Sequence, residues 1–369
     1  ILEDGIAIRV TGQDAERGTF SHRHAVIHDF ENFKPFIPLQ ALPTATAAFE
    51  VHNSPLSEAA ALGFEYGYNV QAPRRLVIWE AQYGDFINGA QTIIDEYIVS
   101  ARNKFGLTPS LVLLLPHGYE GAGPDHSSAR IERFLQMAAD INLRVANPTT
   151  AAQYYHLLRR QALLLESDPL PLIVATPKSL LRNPLVLSSL EELANGAWYP
   201  MIDDAEARER ADAVRRVVLC SGKLYADLVS DPRRKGDAEK KIVQHTEIAL
   251  IRVEQLYPFP SEEIAAALAG YPNAAEVVWA QEEPENMGAW TFARPLLADI
   301  VGALPLRYVG RTPNASPAEG SLAWHNINQA AILDQVYASA DQPLNISAPI
   351  AAVMGSPTTT QAHERDGAG

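Results

Sequence analysis

The sequence predicts an α/β protein made of two doubly wound domains with mainly parallel sheets. Short apolar runs of strand length alternate with helical segments along most of the chain, which is typical of parallel strands buried on both faces. A length of 369 residues with 47% hydrophobic content is enough for a large core and two domains. A charged, alanine-rich run at 203–212 separates two such alternations, so we predict domains at residues 1–205 and 213–340.

The first predicted domain alternates strands with helices. Ser57 is the predicted N-cap of a helix whose first turn contains Glu58. The stretch 30–53 is rich in proline, alanine and aromatic residues and has no clear periodicity, so we predict a long ordered loop with short extended pieces there. Strands are predicted at 6–10, 75–80, 110–115, 143–146 and 171–176, and further helices at 90–103, 129–140 and 150–165.

The second predicted domain repeats this alternation. The segment 230–245 is dense in charge and predicts an exposed loop, and the residues 341–369 lack periodicity and predict a disordered tail. Strands are predicted at 216–219, 248–253, 276–280 and 306–309, and helices near Lys223, Ser261, Met287 and Leu322.

Composition excludes several classes of protein. A formal net charge of −14 argues against nucleic acid or an anionic membrane as the main partner, since both attract concentrated Lys and Arg. Cys220 is the single cysteine, which excludes an internal disulfide and suits a reducing compartment. No apolar run is long enough to span a bilayer, and the start has no signal-peptide pattern, so we expect a soluble intracellular protein. The chain starts at Ile1, and we expect it to be a piece of a longer polypeptide.

A glycine-rich loop follows the predicted strand 110–115. Gly118, Gly121 and Gly123 allow positive φ angles or the close approach of a ligand, and His117 and His126 flank the loop. Ligands of open α/β sheets bind beyond the carboxyl ends of the strands, so this loop is a candidate binding site. The alternative is an ordinary glycine-rich connection with two surface histidines.

A cluster of histidines near the start of the chain has two interpretations. His22 and His24 would share one face of a strand, and His28 and Asp29 follow closely, which is a spacing compatible with zinc. A complete ligand set and its supporting carboxylates are not evident. We therefore predict hydrogen-bonding or anion-binding histidines and no metal site.

Two acids of the helix after Ser57 are candidates for chemistry. A glutamate in the first turn, such as Glu58, commonly does no more than interact with the positive end of the helix dipole. Glu65, two turns later, is an alternative functional acid. The pattern by itself leaves these alternatives open.

Sequence blocks spread along the chain resemble one family. They are GTFSHRHAVIHD, LSEAAALGFEYGY, WEAQYGDFINGAQ, LLLPHGYEGAGPDHSSARIERFLQ, PKSLLRNP, RVEQLYPFP and QEEPENMGAW. Together they resemble the thiamine-diphosphate-dependent, decarboxylating component of 2-oxoglutarate dehydrogenase complexes, over residues 5–335. The resemblance covers the carboxyl-terminal part of that family's chain. It implies a thiamine-diphosphate-binding domain for the aminopyrimidine, of the transketolase-like fold, followed by a transketolase C-terminal-like domain.

The resemblance implies a cofactor site in the first domain. Glu58 matches the family's glutamate that protonates the aminopyrimidine, whose imino group then removes the thiazolium C2 proton. Leu56 would contact the aminopyrimidine through its backbone, Phe86 would stack on the ring, and Gln82 would line the pocket. Glu65 becomes a structural residue in this interpretation.

The resemblance also implies residues for the substrate. His126 matches a family histidine beside the reacting carbon, where it would bind the substrate's carboxylate or the intermediate and move protons. His22, His24 and His117 are weaker substrate candidates.

The family's reaction gives the expected activity and partners. It decarboxylates 2-oxoglutarate through a thiamine diphosphate ylide and passes the succinyl group to a lipoyl arm on a succinyltransferase. The Gly-Asp-Gly and paired-asparagine motif that holds Mg²⁺ and the diphosphate is absent here, and Asn103 and Asn195 lack its context. We therefore expect this chain to be inactive alone, to form a homodimer with its relatives' architecture, and to reside in a bacterial cytoplasm or a mitochondrial matrix.

Three features depart from the family pattern. Ala122 stands where many relatives have glutamine, the segment 230–245 is long, and the residues after 340 are unfamiliar. A relative that acts on 2-oxoadipate shares the alanine, so a 2-oxoadipate dehydrogenase is the alternative enzyme, although RHAVIHD favours 2-oxoglutarate. A non-catalytic interaction module is an alternative from another class.

Overall fold

The structure, a computed structural model, describes residues 1–236, 239–240 and 242–338. It contains two large α/β sheets, which confirms the predicted fold class. None of the described helices is both long enough and apolar enough to cross a membrane. The predicted tail at 341–369 lies outside the described residues.

The strands alternate with helices for most of the described chain. The strands are β1 (Ile8–Gly12), β2 (Ile27–His28), β3 (Pro35–Phe36), β4 (Phe49–Asn53), β5 (Leu76–Glu80), β6 (Val112–Pro116), β7 (Arg144–Ala146), β8 (Leu172–Thr176), β9 (Met201–Ile202), β10 (Arg216–Cys220), β11 (Ile248–Val253), β12 (Gln255–Tyr257), β13 (Glu276–Pro284) and β14 (Leu306–Arg311).

The helices vary from one turn to four turns. They are α1 (Glu58–Gln71), α2 (Gln91–Ile93), α3 (Ala101–Phe105), α4 (Ile131–Gln136), α5 (Ala151–Leu163), α6 (Leu190–Asn195), α7 (Ala205–Arg208), α8 (Lys223–Ser230), α9 (Pro232–Lys235), α10 (Ser261–Ala269), α11 (Trp290–Val301) and α12 (Leu322–Val336). Short 3₁₀ segments cover Gly84–Ala90, Ser179–Arg182, Pro184–Val186 and Ala211–Ala213, and a π-helical turn covers Ile94–Ile98.

The first sheet has the strand order β12-β7-β8-β6-β5-β1-β4. All neighbours in it are parallel except β12, which runs antiparallel to β7. Every residue of β5 and β6 is buried, as expected of central parallel strands covered on both faces. This central position brings the carboxyl ends of β1, β5 and β6 to one edge of the sheet.

The second sheet has the strand order β14-β13-β10-β11-β9, and β9 is its antiparallel strand. Strand β9 precedes the predicted boundary at 205–213 yet lies in the second sheet, whereas β12 follows that boundary and lies in the first. The two halves of the chain thus exchange edge strands. The division into domains at 1–205 and 213–340 stays a prediction.

The last part of the stretch 30–53, predicted as a loop with short extended pieces, forms a strand of the first sheet. Strand β4 pairs in parallel with β1 at the edge of the first sheet, with Phe49 and Val51 buried. The strand has only two inward apolar side chains, which is too little alternation for its period to be recognised in sequence. The two-residue strands β2 and β3 also form a small antiparallel pair within this stretch.

The predicted continuous helix at 90–103 is broken. Its residues form α2, the π-helical turn and the start of α3. Ser100 donates a hydrogen bond from Oγ to the carbonyl oxygen of Asp95 at 2.6 Å, so a side chain competes for a carbonyl group of the helix. The helix predicted near Met287 begins instead at Trp290, after Gly288, which has a φ of +65°.

The segment 230–245 is not simply an exposed loop. It contains α9, and the Arg234 side chain of that helix is buried, with Nη2 lying 2.8 Å from both carboxylate oxygens of Asp204. A run of charged residues in the sequence does not show which of them forms a buried ion pair. The sequence therefore predicted a solvated loop for this segment. Arg234 also donates a hydrogen bond from Nη1 to the carbonyl oxygen of Ile248 on β11 of the second sheet, at 3.3 Å.

One continuous cluster of buried apolar side chains joins the two sheets. It includes Trp79 and Leu113 of the first sheet together with Val217 and Trp279 of the second. Because these side chains share a core, movement of one sheet against the other would expose apolar surface. The second sheet therefore supports the position of the first.

Glu65 is a structural residue in the first domain, as the family resemblance implies. It is 1% exposed, and Arg9 donates to both of its carboxylate oxygens from Nε and Nη2 at 2.8 and 2.9 Å. Thr11 donates a third hydrogen bond from Oγ1 at 2.9 Å. These contacts fix α1 on β1 and leave Glu65 no role in a pocket.

We expect Glu65→Ala to lower the free energy of unfolding by about 1–3 kcal/mol, because Arg9 and Thr11 lose their buried acceptor and the Arg9 guanidinium keeps only Glu50, 3.3 Å from Nη1. Denaturant unfolding measures this change. Glu96→Ala is the control, because it breaks only the exposed pair with Lys104 and should cost about 0–1 kcal/mol. Equal stability losses in the two variants would contradict the assignment.

Candidate active site

The candidate residues lie at the carboxyl edge of the first sheet. Strand β1 ends at Gly12, β4 at Asn53, β5 at Glu80 and β6 at Pro116, and these strands are parallel neighbours in the sheet. The segments that leave them carry the predicted site residues. The parallel pairing therefore brings together side chains that are far apart in sequence, at the place where open α/β sheets bind ligands.

Glu58 is the first residue of α1. Ser57 caps this helix, accepting a hydrogen bond on Oγ from the Ala60 amide at 3.3 Å. The half-buried Glu58 carboxylate accepts a hydrogen bond on Oε1 from Nε2 of Gln13 at 3.1 Å. Its other oxygen, Oε2, has no hydrogen-bond partner among the described residues, and it faces Gly89, where a Cβ atom would lie 3.6 Å away. One carboxylate oxygen is held in place and the other is free.

Gln13 was not identified from the sequence. It directly follows β1, so its position immediately after a strand of the parallel sheet was the available signal. A glutamine has no distinctive pattern of its own, and only the fold brings it to a glutamate 45 positions later.

An aromatic cluster lies beside the glycine-rich loop. The ring of His126 lies edge-to-face with Tyr83 and with Phe86, at centroid distances of 4.2 and 5.9 Å. Tyr83 also contacts Phe86 at 5.6 Å and Phe20 at 5.6 Å, and Phe20 contacts His22 at 5.9 Å. The structure thus brings together His22, Phe86 and His126 of the predicted residues. Phe20 and Tyr83 lie inside the recognised sequence blocks but were not singled out.

His126 remains accessible within this cluster. Its side chain is 35% exposed, and its Nδ1 atom lies 3.7 Å from Oδ1 of Asp125. The ring packs edgewise on Tyr83 and is not buried beneath it. A group with these properties can approach a bound molecule and exchange protons with it.

His22 is tied to a buried carboxylate. Glu80, at the end of β5, lies 3.4 Å from Nε2 of His22 and accepts a hydrogen bond from Nη1 of Arg23 at 2.9 Å. Burial acts to raise the pKa of Glu80, but hydrogen bonds from His22 and Arg23 outweigh it and hold this pKa below its ordinary value. The carboxylate stays charged and fixes the segment that carries His22 and Phe20.

His117 has protein partners at both ring nitrogens. Nδ1 accepts the backbone N–H of Ala129 at 3.0 Å, and Nε2 lies 3.0 Å from Oε1 of Glu283 on β13. Burial lowers the pKa of His117, the carboxylate of Glu283 raises it more, and the amide on Nδ1 favours the neutral ring. Neither nitrogen is left for a substrate.

The remaining candidate residues, Leu56, Gln82 and His24, lie at the margin of the candidate site. Leu56 is 84% exposed in the segment before α1, and Gln82 is half-buried next to Tyr83 with no side-chain hydrogen bond to described residues. His24 is exposed, with a φ of +47°, and is not part of the aromatic cluster. These side chains could contact a ligand, but no hydrogen bond to the described residues holds them in place.

The zinc interpretation of the early histidines finds no support in the part of the chain that the structure describes. No three His, Cys, Asp or Glu side chains there are arranged to hold a metal ion. His22 is engaged with Glu80, and His28 lies 3.6 Å from Glu16 on the exposed surface.

Two family models match the chain. The model described as transketolase, pyrimidine binding domain matches residues 1–184, and the model described as 2-oxoglutarate dehydrogenase C-terminal matches residues 187–337. The first match contains every strand of the first sheet except β12, and the second contains β12 and the whole second sheet.

Curated relatives give the same result. The chain is 50% identical over 335 residues to a protein named 2-oxoglutarate dehydrogenase E1 component from Geobacillus sp. (strain WCH70), covering 90% of this chain and 34% of the relative. It is 50% identical over 337 residues to the protein of the same name from Shouchella clausii (strain KSM-K16), covering 91% of this chain and 35% of the relative. It is 49% identical over 335 residues to the protein of the same name from Bacillus cereus (strain AH820), covering 90% of this chain and 35% of the relative.

The chain spans about a third of the length of the curated relatives it matches. Both the pyrimidine-binding domain and the carboxyl-terminal domain are present within that third. The chain therefore belongs to the 2-oxoglutarate dehydrogenase E1 family of thiamine-dependent 2-oxo acid dehydrogenases, and it corresponds to a carboxyl-terminal part of the E1 component.

Proposed function

We propose that this chain supplies the aminopyrimidine side of a thiamine diphosphate site and the histidine that acts on the substrate. In a complete protein this site would decarboxylate 2-oxoglutarate and pass the succinyl group to the lipoyl arm of a succinyltransferase. The observation that carries the proposal is the free Oε2 atom of Glu58 at the same sheet edge as Phe86 and His126.

The residues present fit the aminopyrimidine end of the cofactor. When bound, thiamine diphosphate supplies a thiazolium ring that accepts the electron pair released by decarboxylation. Glu58 would share a proton between its Oε2 atom and a ring nitrogen of the aminopyrimidine, while Gln13 holds Oε1. Phe86 would stack on the flat heterocycle, Gln82 would line the pocket, and Leu56 would contact the ring through its backbone.

His126 would act at the substrate. Its accessible ring lies against Phe86, so it would be placed beside a molecule that stacks there. Near neutral pH an imidazole can either bind the carboxylate of a 2-oxo acid or deliver a proton. His22, which is held in place by Glu80, would line the same pocket. His24 is retained as a peripheral substrate candidate, whereas for His117 we propose a different role below.

The proposal assigns the diphosphate and Mg²⁺ to the part of the family's chain that this sequence does not match. No group of three His, Cys, Asp or Glu side chains among the described residues is arranged to hold a metal ion. We accordingly propose that the chain is inactive alone and works as a homodimer with the remaining E1 segment, in a bacterial cytoplasm or a mitochondrial matrix.

Ala122 favours a second candidate, a dehydrogenase for 2-oxoadipate. This residue is exposed in the glycine-rich loop, four residues before His126, where a smaller side chain would leave room for a longer acid. A non-catalytic interaction module is the other alternative. It does not require a free oxygen on Glu58 or the packing of His126 against Phe86.

We expect decarboxylation of 2-oxoglutarate when this chain is mixed with the missing segment of a close relative, thiamine diphosphate, Mg²⁺ and a lipoyl-bearing acceptor, whose disulfide is reduced as it takes up the succinyl group. Release of CO₂ measures turnover, and the chain by itself is the control and should release none. Absence of turnover in a well-folded mixture would contradict the enzyme proposal and favour the interaction module. Faster turnover of 2-oxoadipate would select the alternative substrate.

In the reconstituted protein, Glu58→Gln should slow exchange of the thiamine C2 proton by about 10²–10⁴-fold, because the free oxygen no longer accepts a proton. Exchange into deuterated water followed by NMR measures this rate. Glu96→Gln on the exposed surface is the matched control. Near-normal exchange in Glu58→Gln with cofactor bound would contradict the assigned role.

His126→Gln should slow decarboxylation by about 10²–10⁴-fold while leaving C2 proton exchange close to the wild-type rate. The reason is that the proposed roles of His126 and Glu58 belong to different steps. CO₂ release and C2 exchange are measured on the same preparation. Parallel loss of both rates would mean that His126 also serves the cofactor, against the proposal.

A further inference from the structure

The loop that carries His126 is closed at its base by three hydrogen bonds. The amide of Gly118 donates to the carbonyl oxygen of Ser127 at 2.9 Å, and the amide of Ala129 donates to Nδ1 of His117 at 3.0 Å. The amide of Ser128, between them, donates to Oδ1 of the buried Asp85 at 3.0 Å. Since His126 directly precedes these residues, its position depends on this closure.

One ring nitrogen of His117 takes part in this closure, and the other bonds to a residue outside the loop. Because Nδ1 accepts a backbone N–H, the ring proton is assigned to Nε2, which then donates to Oε1 of Glu283 at 3.0 Å. Glu283 lies on β13 of the second sheet, and both side chains are buried. The pair lines a cavity of ≈ 20 Å³, which has room for about one water molecule.

Other contacts place the outer part of the loop against the second sheet. The guanidinium of Arg311, at the end of β14, lies 4.8 Å from the centre of the Tyr119 ring. Gly121 has a φ of +72° and is pressed against Leu322 and His325 of α12, where a Cβ atom would clash with the leucine side chain. The loop is thus held between the first sheet and the second.

We propose that His117 is a positioning residue for His126, which closes the loop through Nδ1 and fixes the closed loop to the second sheet through Nε2 and Glu283. The inference rests on the proposed function, because the loop position matters for turnover only if His126 acts there. It replaces the substrate contact that the sequence suggested for His117 and gives the second sheet a part in building the site.

His117→Asn and His117→Gln separate the two contacts. The amide oxygen of asparagine can replace Nδ1 as acceptor for Ala129, whereas the amide nitrogen of glutamine can replace Nε2 as donor to Glu283. Hydrogen–deuterium exchange in this chain measures the loop directly. In His117→Gln the Ala129 amide should exchange about 10-fold faster, the loss expected for one hydrogen bond. In His117→Asn it should stay protected, while the amides of 119–123 exchange faster because the loop is released from the second sheet.

Turnover distinguishes positioning from substrate binding. In the reconstituted protein, both variants should lower kcat, by up to about 10²-fold, with KM little changed, because misplaced catalytic groups slow the reaction without weakening ground-state binding. A substrate contact would instead raise KM. The matched control is His156→Gln, which removes a buried histidine bonded to the Glu192 carbonyl oxygen at 2.8 Å and should leave loop exchange unchanged.

Unchanged loop exchange in both His117 variants, or a raised KM with kcat preserved, would overturn the proposal. If the His117 variants do not fold, Glu283→Ala tests the same contact and should release 119–123, whereas Glu283→Gln keeps an acceptor and should not. Equal loop exchange in the two Glu283 variants would also overturn it. If the wild-type mixture has no turnover, the proposed function fails, but exchange in this chain still decides whether His117 closes the loop.

Discussion

Parallel pairing of β4, β1, β5 and β6 is the constraint on which the candidate site depends. Each of these strands delivers one segment to the same edge, and each segment contributes a different kind of group. Gln13, Glu58, Phe86 and His126 follow the four strands and would be scattered in any other topology. A one-residue slip of a strand would turn its outgoing segment to the opposite face, so the register of the sheet is also the geometry of the site.

The second sheet supports this edge in two ways. A continuous apolar core connects the sheets, so that their separation would expose buried surface such as that of Trp79 and Trp279. Polar contacts then orient the loop, with Glu283 bonded to His117 and Arg311 lying over Tyr119. Strand β12, which follows β11 of the second sheet and pairs with β7 of the first, ties the same two layers through the backbone.

Three buried carboxylates in this acidic chain are paired with arginines. Glu65 is bound by Arg9, Glu80 by Arg23, and Asp204 by Arg234. A buried carboxylate without such a partner would cost several kcal/mol, which limits where acids can be placed inside the fold. Glu58 differs from Glu65 in this respect. Glu65 has both oxygens bound and serves the structure, whereas Glu58 keeps one oxygen free and can serve chemistry.

The sequence by itself determined the fold class, the order of the main strands and the family. Apolar runs of strand length and the Ser57 cap are local signals, and blocks such as LLLPHGYEGAGPDHSSAR carry the resemblance to the family. It also made Glu58 and His126 candidates, but their roles and the choice of Phe86 came only through resemblance, since a first-turn acid, a phenylalanine and a loop histidine are individually ordinary. Strand β4 and the buried Arg234 went unrecognised because a short edge strand and a single buried ion pair leave too little pattern.

Only the tertiary structure decided which of these residues meet. The bond from Gln13 to Glu58 and the bond from His117 to Glu283 join residues 45 and 166 positions apart, and no local pattern encodes such distances. The structure also assigned both ring nitrogens of His117 to protein groups, which a sequence cannot do because a histidine's role depends on its partners. Pairing of strands and packing of the two sheets create those partners, and for this physical reason the site could be proposed from sequence but its arrangement could not.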